Sequence, residues 1–564
     1  MLILLNLLLL VVIRMVNSEV LKLKSGTING TVEKSRNGRP YQRFYGIPYA
    51  EPPTGELRFQ VKFSRSVRGS NVYKDPIPVK PWSDIKNASI PGPICTQFKL
   101  ISLNSEIAGQ EDCLYLNVFT PMDLSKESAK APVMVNIHGG GFQYGSGDHY
   151  DPHYFMDFDV VFVTLNYRLG VFGFFGMNDD VISGNFGLKD QSLALQWIKE
   201  NISLFGGDPN NVTLMGESAG AASVHAHLFS PLSKGLFHKV IMQSGSIHLP
   251  GALNDDVYND NICIAFTVLT GCSLHRENAT RVLECLQQIP HRDLFKMATR
   301  LYVYDIEPLP LFRPFIESKV NNKPFMPVKP YKDAYVSHVP WITGMNSGEG
   351  ALLVMIYLLN DGQLLKLIDS DREHYLPIVN GYALTQEPEI VGVITQKIID
   401  FYFDRDDAED DEQQTDEALI YVQMFTDNFF RYPLIKMLES SDDPRYVYYY
   451  DHRGSNSLQD SFNLTKDLGV CHADELFLLF RFEDLENRWT PEDKLVSELL
   501  QKFWVNFAIY SDPNGNSEDK VWKPVETQDI DYLHIKADSP KMETKFINDS
   551  FDLWDSFPVG RKFT

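Results

Sequence analysis

Clustered positive charge is missing from this sequence of 564 residues. Lys and Arg together number 52 against 74 Asp and Glu, so the formal net charge at pH 7 is −22. Nucleic-acid phosphates bind to clusters of Lys and Arg, and this balance therefore argues against nucleic acid as a partner. The negative charge is compatible with a cationic substrate, but solubility is the simpler explanation.

Long apolar runs are also missing beyond the N-terminus, where no stretch reaches the roughly 18 apolar residues of a membrane-spanning helix. The C-terminal sequence DSFPVGRKFT is polar and carries neither the apolar tail of a lipid-anchor signal nor a KDEL-like retention signal. We therefore expect no membrane anchor. No internal repeat or low-complexity linker divides the chain.

The N-terminal residues MLILLNLLLLVVIRMVNS form a short apolar run that ends in a polar stretch with a small residue, Ser18. This pattern is typical of a secretory signal peptide. An uncleaved anchor is the alternative, but about 12 apolar residues are too few to span a bilayer. We predict a signal peptide over residues 1–18, a single domain over residues 19–564, and secretion to the extracellular space.

Cysteine is scarce as well, with six residues in the whole chain. Six cysteines fit partial pairing in an oxidising compartment. Cys95 and Cys113 would close one loop, and Cys272 and Cys285 a second, although the spacing alone leaves the connectivity open. Cys263 lies in an apolar helical stretch and is interpreted as a small buried residue.

N-x-S/T sequons mark candidate glycosylation sites in a secreted chain. They begin at Asn29, Asn87, Asn201, Asn211, Asn278, Asn463 and Asn548. Asn29 and Asn211 border predicted strands, so we expect neither to be modified. Asn87, Asn278 and Asn463 lie in predicted loops and are the glycosylation candidates.

Short apolar segments rich in Val, Ile and Tyr and bounded by Gly or Pro recur along the chain, which predicts strands. They are PVMVNIHGGG, DVVFVTLNYR, NVTLMGES, HKVIMQSGS, VPWITGMN and RYVYYYDHRG. Near-continuous apolarity suits strands that are covered on both faces, as in a parallel sheet. Between two of them, LKDQSLALQWIKENISLFGG has the apolar spacing of a helix that stops at Gly206 and Gly207. The alternation predicts an α/β fold with a large, mostly parallel, twisted sheet and helices on both faces.

Residues 351–440 have a helical pattern and include the acidic run DRDDAEDDEQQTDE. We interpret this stretch as a helical insertion on the sheet and not as a separate domain. The acidic run is interpreted as a solvated loop without a function of its own.

A serine between two glycines, in LMGESAGAAS, is the candidate nucleophile. Ser218 follows a predicted strand, precedes a helix-compatible segment and is flanked by Gly216 and Gly220. A sharp strand-to-helix turn needs small flanking residues, because Cβ atoms there would collide with the neighbouring backbone. Such a turn presents Oγ at the C-terminal edge of the sheet, where open α/β sheets place their sites. A glycine-rich structural turn is the alternative.

Three glycines directly after a strand, in NIHGGGFQYGSG, provide bare backbone N–H groups. An oxyanion hole needs such donors where charge develops on a carbonyl oxygen. We predict Gly140 and Gly141 as donors, together with the N–H of Ala219 just past the nucleophile. A nucleotide-phosphate loop would need a GxGxxG or P-loop motif at a helix start, and neither is present here. We expect no metal and no other cofactor.

With these two motifs the chain resembles the carboxylesterase/cholinesterase family of α/β-hydrolases over nearly its whole mature length. The segments that look like the family's blocks, in the family's order, are RFYGIPYAEPPTGELRF, EDCLYLNVFTP, NYRLGVFGF, GLKDQSLALQWIKENI, FGGDPNNVTLMGESAGAASV and IMQSGS. The resemblance implies an α/β-hydrolase fold built as one large domain with helical insertions. It also implies hydrolysis of carboxylic esters.

The resemblance further implies the acid and the base of a Ser-Glu-His triad. The acid is Glu349, in an EG turn after a later strand, and the base is His472, in LGVCHADELF. The chain order Ser, Glu, His is the one expected for α/β-hydrolases. Among the other histidines, His138 adjoins the predicted oxyanion glycines. His225 and His227 recede along the predicted helix by roughly 10 Å or more from the nucleophile.

Glu217 stands directly before the nucleophile, but a residue on this sharp turn cannot easily reach the far side of a histidine that its neighbour faces. We therefore interpret Glu217 as a supporting buried carboxylate whose partner the sequence does not identify. Asp474 and Glu475, which follow His472, are interpreted as structural acids at a helix start.

Other residues resemble structural features of the family. These are the buried salt bridges Arg58–Glu111 and Arg168–Asp190, Ser244 near the triad acid, and the two disulfides Cys95–Cys113 and Cys272–Cys285. This pairing would leave Cys263 and Cys471 free.

The predicted activity is hydrolysis of small carboxylic esters through an acyl-enzyme on Ser218. Because only a neutral imidazole can act as base, we expect activity to rise through a pKa of about 6 to 7. Cholinesterases carry a cation-binding tryptophan in the loop that corresponds to residues 95–113, and this loop contains none. Selectivity for choline esters is therefore not expected.

Several related functions are alternatives to a general carboxylesterase. A juvenile hormone esterase-like enzyme is one, although such enzymes typically carry glutamine in place of Glu217, and a secreted odorant- or pheromone-degrading esterase is another. A non-catalytic, neuroligin-like adhesion protein is disfavoured because all three triad positions are filled. A lipase is a further alternative, although no lid is identifiable from the sequence. Residues 310–318 resemble the segment that lines the family's acyl pocket, where Phe312 or Phe315 would limit acyl size. The oligomeric state is not predicted.

Overall fold

The computed structural model describes residues 20–59, 79–99, 106–125, 130–254, 256–275, 278–302, 311–320, 322–383, 387–404, 416–462, 464, 466–482, 485–526, 529–537 and 539–557. The strands in these ranges are β1 (Val20–Lys22), β2 (Thr27–Asn29), β3 (Thr31–Lys34), β4 (Pro40–Pro48), β5 (Lys86–Asn87), β6 (Gln97–Phe98), β7 (Ile107–Ala108), β8 (Tyr115–Thr120), β9 (Ala131–Ile137), β10 (Val161–Leu165), β11 (Gly207–Glu217), β12 (Lys239–Gln243), β13 (Trp341–Asn346), β14 (Arg445–Tyr450), β15 (Tyr532–Ile535) and β16 (Lys541–Glu543).

Eleven of these strands form one central sheet, in the order β16-β15-β14-β13-β12-β11-β9-β10-β8-β4-β3. Neighbouring strands run parallel from β15 across to β10. The pairs nearer the two edges run antiparallel. Each of the six segments predicted as strands contains one of the parallel strands. The prediction of a large, mostly parallel sheet is therefore confirmed.

Alternate residues of the central strands point to opposite faces of the sheet, as strand geometry requires. In β9, Val133, Val135 and Ile137 belong to one hydrophobic core, whereas Met134 belongs to a second core. All four side chains are fully buried. A core on each face explains why these strands read as continuous apolar runs without polar alternation.

Helices cover both faces of this sheet. They are α1 (Gly170–Phe174), α2 (Phe186–Asn201), α3 (Ala219–Phe229), α4 (Asp256–Leu269), α5 (Ala279–Gln288), α6 (His291–Thr299), α7 (Ala351–Ser370), α8 (Arg372–Val379), α9 (Pro388–Tyr402), α10 (Glu417–Thr426), α11 (Tyr432–Glu439), α12 (Leu476–Leu479), α13 (Pro491–Tyr510) and α14 (Asp549–Asp555). Leu195 and Ile198 of α2 join the first core, and Leu500 and Trp504 of α13 join the second. The predicted α/β fold with helices on both faces is confirmed.

Helices α7 to α11 build a helical layer over residues 351–439. Its inner side chains, among them Tyr357 and Phe425, form a third hydrophobic core. The acidic run lies mostly within residues 405–415, which are outside the described residues. Among described helices, none is by itself long and apolar enough to cross a membrane. Two helical segments that meet at a bend, Ala351–Leu359 and Gly362–Ser370, are together long and apolar enough, by length and composition alone.

Two disulfides join the cysteines that the family resemblance pairs. Cys95 bonds to Cys113, and Cys272 bonds to Cys285, so the predicted connectivity is confirmed. The remaining two cysteines, at positions 263 and 471, are buried and form no disulfide.

Two buried ion pairs hold loops and helices together around the sheet. Arg58 meets Glu111 through two contacts of 2.5 and 2.8 Å, and its Nη1 also donates to the carbonyl of Ile289. Arg168 meets Asp190 through two contacts of 2.7 and 2.6 Å. Bidentate pairs of this kind offset the desolvation of their charges only while both partners are present.

We expect Asp190→Asn to lower the free energy of unfolding by about 3–5 kcal/mol, because Arg168 would remain buried without its counter-charge. Asp159→Asn is the control, since it breaks the exposed Arg39–Asp159 pair and should change that free energy by less than about 1 kcal/mol. Urea unfolding followed by tryptophan fluorescence measures both effects. Equal unfolding midpoints for the two variants would contradict this prediction.

Candidate active site

Ser218 occupies a strained turn between β11, which ends at Glu217, and α3, which begins at Ala219. Its backbone angles, φ 57° and ψ −124°, lie in a region that side-chain-bearing residues rarely adopt. A Cβ on Gly216 would lie 2.5 Å from the backbone of Gly220, and one on Gly220 would lie 2.1 Å from a backbone oxygen of β9. The two glycines are therefore required by the turn, as predicted. Ser218 itself remains partly exposed between buried neighbours.

The glycine loop after β9 lies directly beside this turn. A Cβ on Gly139 would approach the Cβ of Ser218 to 3.2 Å. Gly140 and Gly141 have φ angles of 100° and 58°, which favour glycine because a side chain would be strained there. Within the described part of the chain, the backbone N–H groups of Gly140, Gly141 and Ala219 form no hydrogen bond. Three free donors thus flank the serine.

The structure brings Glu349 and His472 into contact. The distance from His472 Nδ1 to Glu349 Oε2 is 2.5 Å, and both side chains are buried. The other carboxylate oxygen of Glu349 accepts the backbone N–H of Asn346 at 2.6 Å. This arrangement orients the imidazole, with Nδ1 as donor and Nε2 left to face the serine turn.

Backbone pairing explains why two residues so distant in sequence meet. Gly348, in the turn that carries Glu349, donates its N–H to the carbonyl of Val470 at 2.9 Å. Gly348 and Cys471 also form an isolated parallel bridge. Backbone contacts alone therefore hold the turn that carries Glu349 beside the segment that carries His472.

Glu217 has a partner that sequence reasoning did not identify. Its Oε1 lies 2.9 Å from His472 Nε2, on the side of the ring opposite Glu349. The atoms are within ion-pair distance, but Oε1 makes no aligned hydrogen bond with any described residue. The interpretation of Glu217 as a buried carboxylate agrees with its 5% exposure.

The two carboxylates determine the protonation of His472. Burial lowers the pKa of the imidazole, but Glu217 and Glu349 raise it more, so that the pKa lies well above its ordinary value. The expectation of a pKa of about 6 to 7 considered one carboxylate beside the ring and not two, and it stays a prediction.

Glu475 is a third carboxyl group near the ring. It is fully buried, and its two oxygens accept from Asn346 Nδ2 at 2.7 Å and from Gln243 Nε2 at 3.0 Å. Burial, followed by the charges of Glu217 and Glu349, raises the pKa of Glu475 to about 8. Sequence reasoning treated this residue only as a helix-start acid, although its position three residues after the histidine was a usable signal.

The other predicted residues lie around this group without joining it. Ser244 donates its backbone N–H to the carbonyl of Gly344 in β13, but its buried hydroxyl has no partner among the described residues. His138, His225 and His227 are buried, and burial lowers the pKa of each ring. His225 bonds to Tyr335 and to the backbone N–H of Ile247, and His227 bonds to Ser233 and Gln191.

A family model described as the carboxylesterase family matches residues 17–554. A juvenile hormone esterase of Tribolium castaneum is 35% identical over 91% of this chain and 88% of that protein. Venom carboxylesterase-6 of Apis mellifera is 33% identical over 95% of this chain and 94% of that protein.

Among solved structures, the juvenile hormone esterase of Manduca sexta, crystallised with OTFP covalently attached, superimposes with a TM-score of 0.80. It is 28% identical, and the match covers 96% of this chain and 99% of the other. The parallel sheet and its helices define the molecule as an α/β-hydrolase. The chain belongs to the carboxylesterase family, and it is a carboxylic ester hydrolase.

We expect Glu217→Gln to lower the pKa that governs kcat/KM, because one of the two carboxylates that favour the imidazolium is lost. The base must be neutral to act, so wild-type activity should rise as pH passes upward through this pKa and the variant should retain activity at lower pH. Rate profiles between pH 5 and 9 measure the shift.

Asp208→Asn, at the opposite end of β11, is the matched control for the change in net charge. Its profile should coincide with that of the wild type. An unchanged profile for Glu217→Gln would show that the contact with His472 Nε2 does not control protonation.

Proposed function

We propose that this protein is a secreted serine esterase that forms an acyl-enzyme on Ser218, with His472 as base and Glu349 as acid. The observation that carries the proposal is the position of one imidazole. Its Nδ1 is 2.5 Å from Glu349, and its Nε2 is directed to the strained turn, where it lies 2.9 Å from the residue preceding Ser218.

The proposed reaction begins when neutral His472 removes the proton of Ser218 as Oγ attacks the ester carbonyl. The N–H groups of Gly140, Gly141 and Ala219 would donate to the oxygen that becomes negative. His472 then protonates the leaving alcohol, and the acyl group stays on Oγ. Water repeats the sequence, releases the carboxylic acid and returns the proton to Ser218.

The second carboxylate affects the first step of this reaction. To accept the serine proton, Nε2 of His472 must face Oγ of Ser218, so its contact with Glu217 competes with activation. Glu217 would in turn stabilise the imidazolium that forms during attack. The proposal therefore assigns Glu217 an electrostatic role in addition to its place in the turn.

The proposed substrate is a small carboxylic ester. Juvenile hormone esterases among the relatives support that hormone class as the main alternative, whereas the glutamate at position 217 argues against it by the family resemblance. Phe312 packs against Phe266, and the Phe315 ring lies against Gly184, so both aromatic rings are buried. Their influence on acyl size stays a prediction. The assembled histidine and glutamate make a non-catalytic adhesion role less favourable.

We expect Ser218→Ala to lower kcat/KM for an ester such as p-nitrophenyl acetate by at least about 10³-fold, because no acyl-enzyme can form. The variant should also lose the initial burst of alcohol release and covalent labelling by an organophosphate. Stopped-flow kinetics and intact-protein mass spectrometry measure these effects, and circular dichroism verifies the fold. Labelling that persists in Ser218→Ala would refute the assignment.

Secretion gives a separate prediction. We expect protein recovered from the medium of insect cells to begin at residue 19 and to carry glycans at Asn87, Asn278 and Asn463. The first two are exposed, although Asn87 ends strand β5 and does not lie in a loop as predicted, and Asn463 lies outside the described residues. Asn201 is the internal control, since it is 5% exposed and its Nδ2 donates to the Trp197 carbonyl. Peptide mass spectrometry after glycosidase treatment would contradict the proposal if it found a retained N-terminus or a glycan at Asn201.

A further inference from the structure

A π-helical turn of the helical layer lies against the histidine of the site. It covers Asp427–Arg431 and joins α10 to α11. The ring of Phe430, carried by this turn, has its centroid 4.9 Å from that of His472, with the two planes inclined by 49°. The proposed reaction does not use this aromatic ring. π-Helical turns are nevertheless rare in folded proteins and frequent at functional sites.

The sequence accounts for the wide turn. Pro433, near the start of α11, has no backbone N–H and cannot donate to the carbonyl of Phe429 as an α-helix would require. A wider turn accommodates this missing bond.

Polar contacts hold the turn to the helical layer. The buried carboxylate of Asp427 accepts from Tyr402 at 3.1 Å and from Gln423 at 2.9 Å. The next residue, Asn428, donates its Nδ2 to Asn380 Oδ1 at 2.8 Å. These contacts leave the turn little freedom, because a buried carboxylate would lose its partners if the turn moved.

Helix α10, which precedes the turn, packs against the residue beside Glu349. Thr426, the last residue of α10, accepts the backbone N–H of Gly350 at 2.9 Å. A Cβ on Gly350 would lie 2.2 Å from the carbonyl oxygen of Val422, one helical turn earlier. Helix α10 therefore contacts the residue beside Glu349, and the π-helical turn that follows it contacts the ring of His472.

We propose that Phe430 is a positioning residue for His472, an inference that rests on the proposed function. The bond to Glu349 holds Nδ1, and a swing of the imidazole about this bond moves Nε2 between its 2.9 Å contact with Glu217 and the direction of Ser218. The Phe430 ring packs on the imidazole and limits the swing. Through it the helical layer sets the angle at which the base meets the nucleophile.

The test compares Phe430→Ala and Phe430→Leu with Phe429→Ala. Phe429 is the matched control, because it is half-buried in the same turn and its ring contacts Phe425 of the helical layer instead. For p-nitrophenyl acetate we expect Phe430→Ala to lower kcat roughly tenfold with KM within about twofold, since small misplacements of a catalytic group are costly. Leucine should restore part of the loss, and Phe429→Ala should keep kcat within about twofold.

A spectroscopic measurement separates positioning from a general loss of structure. The Nδ1–H proton between His472 and Glu349 should give a far-downfield proton NMR resonance, and we expect it to broaden or shift in Phe430→Ala but not in Phe429→Ala. An unchanged kcat and resonance would overturn the proposal. So would a change confined to KM, which would mean that the ring contacts substrate, or equal losses in both alanine variants.

Failure of the proposed function would look different. In that case Ser218→Ala would retain the wild-type rate in the same assay. If hydrolysis depends on Ser218 while Phe430→Ala behaves as the wild type, only the positioning role is wrong.

Discussion

The arrangement of one imidazole between two buried carboxylates is the interaction on which the rest of the site depends. His472 contacts Glu349 through Nδ1 and Glu217 through Nε2, and few solvent dipoles are close enough to screen either charge. Burial alone lowers the pKa of an imidazole, as it does for His138, His225, His227 and His248. The two carboxylates together raise the pKa of His472 instead, and Glu217 also lies against Nε2, the nitrogen that faces the serine turn.

The fold supplies this contact from three separate parts of the chain. Glu217 ends β11, Glu349 follows β13, and His472 lies beyond β14, so parallel strands deliver their following residues to the same edge of the sheet. The backbone bond between Gly348 and Val470 then joins the last two parts. The shared direction of the strands thus brings the three residues near one another, and the backbone bond fixes the segments of Glu349 and His472 side by side.

Much of this could be predicted from sequence, because continuous apolar strands, the glycines around Ser218 and the family's blocks are local signals. The partner of Glu217 could not be predicted, because a carboxylate side chain can take several directions from one backbone position. The same holds for Glu475, whose neighbours Asn346 and Gln243 come from two other strands. Contacts of this kind depend on packing among segments that are far apart in the chain, so the sequence of any one segment does not predict them.

The close fit at Gly350 has a consequence for how the site can change over time. The residue beside the acid has no side chain, and helix α10 occupies the space that one would need. Glu349 therefore owes its location to packing of the neighbouring Gly350 against α10 as well as to its own hydrogen bonds. Drift in the sequence of α10 can alter the geometry of hydrolysis without replacing any residue that touches the ester.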